Sequence, residues 1–386
     1  MSDDELKRNA REYWDAAREK VKQGNSNFKG RQFPEDPSIK GFNGFVFTDE
    51  ANFEGVIFEG SAYFNQTTFE KAALFNNATF KGAAHFRGVN FKNHAFFMKS
   101  AFTQHTDFVM AAFGANALFE GASISDGIFY DSRFYGGAEF GNVQFVTATF
   151  HRVVFEGEAR FRGARFVKEA LFPSVTFMRS ATFEDCIFEG RVDFRGARAV
   201  EGVLFSMPAR NKIISPFLHP EQGVSAYRLA KQAAISNGDL ESAADYHFAE
   251  RCAADIGKLI SWSEPAFSHL PKLERAKLVV GGLFEYLVMR MLFGYGVKPF
   301  RIVLASLFLI VLFAFFYSNS HMVCIKETCD LSFVEALFIS ASTFTTLGYY
   351  GDYHLEGFTR FLIGGEAFLG TLLMSAFLVV LGRRYM

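Results

Sequence analysis

Residues Thr346-Leu347-Gly348-Tyr349-Tyr350-Gly351-Asp352 gather two glycines, a threonine and an aspartate in one short stretch. Glycine tolerates positive φ, so backbone through Gly348 and Gly351 can turn successive carbonyls toward one side. A row of backbone carbonyls is a ligand set for a dehydrated monovalent cation. Glu366 is the one acid inside a downstream apolar run. Acids in such runs are costly and usually functional. Cys324 and Cys329 form a C-x4-C pair, while Cys186 and Cys252 stand alone. The histidines, His321 and His354 among them, are scattered. The sequence offers no nucleophile–base set, phosphate loop or Cys/His metal spacing, so neither an enzyme nor a cofactor is expected.

Two apolar segments must position that stretch. The first covers about 299–317 and the second about 361–382, each near the ~20 residues that span a bilayer. Lys298 and Arg301 precede the first, and Arg383 and Arg384 follow the second. The positive-inside rule then puts both termini in the cytoplasm and 318–358 outside. Residues 1–24 hold no apolar signal segment. Cys324 and Cys329 face the oxidising side and either form a short disulfide or stay as two thiols. Between the spans, 332–345 is too short to cross. Ser332 with Glu335 makes a capping box, which predicts a helix of about four turns running into Thr346. Glu366 either braces the stretch from behind, taking hydrogen bonds from Ser342, Thr343 or a backbone N–H, or merely sits near the interface.

The rest of the chain is upstream. Phe is the anomaly of its composition, 50 of 386 residues. From Phe42 the Phe residues step by five and six in alternation: Phe42, Phe47, Phe53, Phe58, Phe64, Phe69 and onward. The march runs to Phe205, with Ile124 and Ala199 standing in. Small side chains such as Ala62, Ala73, Ala84 and Ala95 lie two residues before many of them. Neither a 3.6 nor a 2.0 period fits. A chain that turns a corner at each step does, with Gly and polar residues at the corners. Residues 1–23 predict an amphipathic helix on Leu6, Tyr13, Trp14, Ala17 and Val21, either a cap on the repeat or a subunit contact. Residues 24–41 read as a linker. Residues 206–298 read as a helical connector. It holds an αα-hairpin turning at Asn237-Gly238-Asp239 and an interfacial amphipathic helix over 272–293.

The Phe march over 42–205 resembles the pentapeptide-repeat family. The resemblance implies a right-handed quadrilateral β-helix of about eight coils, roughly 35–40 Å long at ~4.8 Å per layer. Some members of that family mimic DNA with an acidic rod. Here 15 Lys and Arg face 18 Asp and Glu over 42–205, and the whole chain has a net charge of −1. Neither DNA mimicry nor a nucleic-acid partner is expected.

Residues 299–386 resemble the two-transmembrane pore of potassium channels in order and spacing: span, short helix, T-L-G-Y…G-D, span. The resemblance implies a homotetramer whose carbonyl rings replace the hydration shell of K+. Thr346 would be the innermost ligand, and Leu347, Gly348 and Tyr349 would give carbonyls. Gly351 and Asp352 match the last two positions of the motif, Asp352 as support. Tyr350 is an insertion. Either it bulges outward and the inner sites stay intact, or the outer sites are lost and Na+ is less well excluded. Gly370 lies where the family's inner helix has its hinge, with Met374 and Leu378 toward the cavity. The expected protein is an integral protein of the plasma (inner) membrane. It is a tetrameric cation channel whose cytoplasmic rod serves assembly or gating and binds a protein or lipid partner. The alternative is a membrane-anchored scaffold with a vestigial pore.

Overall fold

The computed structural model describes residues 3–36, 38, 40–206, 217, 219–263, 280–283, 299–319, 323–325, 331–346, 353–355 and 357–385. It divides into two units, Met1–Gly257 and Lys258–Met386.

The first unit is a parallel β-solenoid. Most strands are two residues long and pair with the next coil. Asn90 pairs with Ala112, 22 positions on, and Ala112 with Arg133, 21 positions on. Two eight-stranded sheets form separate faces, and an eleven-stranded sheet spans the remainder. The larger sheet arises because in Ala101–Asp107, Ser123–Ile128, Gln144–Thr149 and Arg165–Leu171 the strand continues around a corner at which other coils break into two strands.

Phe side chains fill the axis. Phe53, Phe75, Phe97 and Phe119 stack with centroids 4.8, 5.0 and 4.8 Å apart and planes within 7° of parallel. A second column crosses the first edge-on, as Phe64 does against Phe75 at 5.4 Å and 88°. The stacking distance equals the spacing of paired strands, so backbone ladder and ring ladder share one repeat. The five-residue steps turn through one residue with φ near +55° to +70°. Glycine takes it at Gly88 and Gly121, but Gln66, Lys99 and Met110 take it too.

Both ends are closed by helices. Helix α1 (Asp3–Lys22) buries Trp14, Ala17 and Val21, while Leu6, read as part of the same stripe, is exposed. The Trp14 ring packs on Phe33 and Phe42, and its Nε1 donates to Pro34 O at 2.8 Å. Residues 24–41 are not a linker. Phe28 and Phe33 are buried, Phe28 stacks on Phe53, and Gln32–Phe33 pairs with Ile57–Phe58. These two Phe residues keep the five-residue step, but the gap to Phe42 across Pro34 and Pro37 hides it in the sequence. The buried Asp36 fastens the α1 lid. Burial pushes its pKa up, but Ser38, the Gly41 N–H and Arg18 outweigh that and hold it below the usual carboxylate value.

At the far end Phe217 stacks on Phe188 at 4.9 Å. Helices α2 (Val224–Ser236) and α3 (Leu240–Ser263) form the expected hairpin. Gly238 turns at φ 74°, and Asp239 accepts from Ser242 N at 3.0 Å. The hairpin rests on the last coils: Ser225 Oγ accepts from Phe194 N, and Tyr246 OH from Phe205 N. The connector therefore begins as a second lid. Of the interfacial helix expected over 272–293, only 280–283 fall among the described residues, and these are helical.

The second unit holds α4 (Pro299–Asn319), α5 (Phe333–Phe344) and α6 (Gly357–Tyr385). Pro299–Ser318 and Arg360–Gly382 are long and apolar enough to cross a membrane. Phe361 is 85% exposed and Phe300 68%, surface that suits lipid rather than water. Two small clusters join the helices. Ala314, Tyr317, Ala336, Ile339 and Ile363 form one, and Ile302, Phe344, Leu373 and Val380 the other. Val323–Ile325 pairs antiparallel with Tyr353–Leu355, with Cys324 opposite His354. Cys329, the other half of the C-x4-C pair expected as a disulfide or two thiols, lies outside the described residues.

Candidate functional site

Helix α5 starts as its sequence predicts. Ser332 accepts from Glu335 N, and the Glu335 carboxylate accepts from Ser332 N at 2.9 Å, closing the capping box. The helix is buried along Ala336, Ile339, Ser340, Thr343 and Phe344. At its end Thr345 Oγ1 donates to Ala341 O and Thr346 N to Thr343 O. Thr346 leaves the helix at φ 57°, a left-handed conformation that a β-branched residue adopts only under constraint. Leu347, Gly348, Tyr349, Tyr350, Gly351 and Asp352 lie outside the described residues.

The register of α5 on α6 is set at Gly370. A Cβ there would lie 2.1 Å from Phe344 O and 2.9 Å from Phe344 C. The last turn of the short helix thus presses on α6 where only glycine leaves room. Helix α6 is continuous through this point, and the demand on Gly370 that its surroundings show is close packing. Met374 and Leu378 are 48% and 66% exposed on the same helix.

One turn back along both helices from that contact, Ser340 meets Glu366. Glu366 is fully buried and hydrogen-bonded to Ser340 Oγ and, at 2.6 Å, to Tyr317 OH. This corrects the expected donors. Ser342 Oγ bonds Ile339 O instead, and Thr343 Oγ1 is buried with no partner among the described residues. The register places Ser340, not its neighbours, toward α6. Ser340 Oγ also lies 2.9 Å from Ile310 O of α4. A hydroxyl has one proton. Ser340 Oγ therefore bridges Ile310 O and the Glu366 carboxyl group through a single hydroxyl. Three helices are thereby tied at one carboxyl group. Tyr317 and Ser340 went unnoticed in the sequence. A Tyr closing an apolar span and a Ser six positions before Thr346 are the signals that were there.

The comparisons with known families divide the chain in the same way. The profile for pentapeptide repeats (9 copies) matches residues 42–90, 64–110 and 150–198, and the profile for ion channels matches 304–386. The chain is a pentapeptide-repeat protein fused to a two-transmembrane ion-channel domain. Neither a curated protein nor a solved structure matches it. The ion-channel match takes in α4 from Leu304 onward, α5, α6 and every contact of the Glu366 cluster. The channel domain is embedded in a lipid bilayer, and neither family is enzymatic in general.

Proposed function

We propose that the chain is the subunit of a homotetrameric cation channel that passes K+. The observation carrying this reading is the placement of Thr346. A capped helix, docked on Gly370 and tied through Ser340 to Glu366 and Tyr317, delivers the chain there at positive φ. The sequence that follows is L-G-Y-Y-G-D. Four copies would bring the carbonyls of Leu347, Gly348 and Tyr349 and the Thr346 hydroxyl around one axis, where they replace an ion's water shell. Helix α5 would turn its partially negative C-terminus toward the cation below. Tyr350, Gly351 and Asp352 form the outer end, where the extra Tyr sets how well Na+ is excluded. No cofactor is needed beyond the permeant ion.

The charges flanking the spans favour cytoplasmic termini in a plasma membrane. The solenoid then serves assembly or gating from the cytoplasmic side, with a protein or lipid partner. Tyr350 is also the one observation favouring a scaffold with a vestigial pore. Reversal potentials of reconstituted protein under a K+/Na+ gradient, for wild type and a Tyr350 deletion, decide the matter. A potential near the K+ value, sharpened by the deletion, supports the proposal. No permeation of either ion from well-folded tetramer refutes it.

A further inference from the structure

A cavity of about 300 Å³ lies where the last coils meet the lid helices. Arg191, Asp193 and Arg195 line it from the solenoid, Glu221 from the 3-10 turn Pro220–Gly223, and Ser225 and Arg228 from α2. Its size is at the low end of ligand pockets, roughly 300–1,000 Å³. Three guanidinium groups and two carboxylates line it, with Glu250 on Arg228 and Glu169 near Arg191 just outside the lining.

The guanidinium groups keep donors to spare. Arg228 gives Nε to Glu250 at 2.9 Å, and Arg195 gives Nε and Nη2 to Asp193 at 2.9 and 2.7 Å. The carboxylate nearest Arg191, on Glu169, is 3.8 Å away, too far for a hydrogen bond. Each arginine has five N–H groups, so most remain for a ligand. Glu221 is the reverse case. Among the described residues its Oε2 is shielded from solvent without a partner, and the nearest cation to its Oε1 is His219 Nδ1 at 3.8 Å. A buried acceptor normally finds a donor. The soft terminal torsion of a Glu side chain lets either oxygen turn to the cavity.

We propose that this cavity binds a small zwitterion of net negative charge, of the acidic amino acid class. Its carboxylates would meet Arg191, Arg195 and Arg228, and its ammonium group would donate to Glu221. Recognition of carboxylates by guanidinium forks is geometrically specific. The ammonium–Glu221 contact separates an amino acid from a plain dicarboxylate. The site belongs to the solenoid unit and does not depend on conduction.

Isothermal titration of the full-length protein with L-glutamate, L-aspartate and succinate tests it. One of the two amino acids should bind saturably with Kd below about 1 mM, and succinate at least about tenfold more weakly. Glu221→Gln, which conserves shape, should erase that preference. Arg191→Ala with Arg195→Ala should weaken binding at least about tenfold. These two side chains are 57% and 75% exposed, so their loss opens no core. The proposal is overturned if neither amino acid binds saturably, if succinate binds wild type equally well, or if the variants melt as wild type does and bind unchanged.

Discussion

Replacing Gly370 by Ala tests how the short helix α5 is held. The new Cβ would stand 2.1 Å from Phe344 O. Real side chains do not approach a backbone atom closer than about 3 Å, so helix or carbonyl must retreat by about 1 Å. The obstacle is backbone, which cannot swing aside as a long side chain does. Overpacking of this kind costs about 1–3 kcal/mol, which lowers the fraction of correctly docked helix by about 5–150-fold. Phe344 is two residues from Thr346, so the shift reaches the proposed ion path directly. Gly365→Ala is the internal control. It lies on the same helix with nothing within 4 Å of its would-be Cβ, and a helical Gly→Ala change favours the helix by roughly 1 kcal/mol. K+ flux into liposomes at matched protein density is the assay, with thermal melting in detergent beside it. Gly370→Ala should lose flux or selectivity and melt earlier, while Gly365→Ala should keep both. If Gly370→Ala conducts, selects and melts as wild type does, the close-packing argument is wrong.

The other predictions concern separate parts of the chain. Glu366→Gln should retain flux, because an amide can donate to Ser340 while accepting from Tyr317, whereas Glu366→Leu should lose it; equal flux from both variants would remove any role for the hydrogen bonds. Met110→Gly should stabilise the solenoid by about 0.5–1 kcal/mol, since Met110 holds φ 56° at an exposed corner, and circular dichroism melting checks the sign. Docking of α1 should weaken in acid. The Asp36 pKa is lower folded than unfolded, so its stabilisation is full above the unfolded value and fades as pH falls below about 4 toward the folded one. Hydrogen exchange of α1 amides against pH reads this out, and Asp36→Asn should flatten the profile.

Periodic features could be read from the chain because each carries its own signal. A Phe at every fifth or sixth position needs no partner to be recognised, and Ser332 with Glu335 is a contact across one helical turn. What escaped depends on register between distant segments. Phe28, Phe33 and Phe217 belong to the ring columns, but Pro34 and the long gap after Phe205 break the step that would reveal them. Glu366 stood out as an acid in an apolar run, yet its donors follow from the Phe344–Gly370 contact, which no local pattern encodes. The cavity beside α2 was invisible for the same reason. Arg191 and Arg195 are two among the 15 Lys and Arg residues of 42–205 until Glu221 and Arg228 are brought beside them.

The two helical lids have a consequence for how copies of this chain can meet. A parallel solenoid ends in strands with unpaired N–H and C=O groups, and such edges recruit further strands. Here α1 covers one end and the α2–α3 hairpin the other. Tip-to-tip fusion of solenoids into fibres is thereby blocked, and among the described residues of this unit a rod meets another rod along its flanks, with their charged side chains.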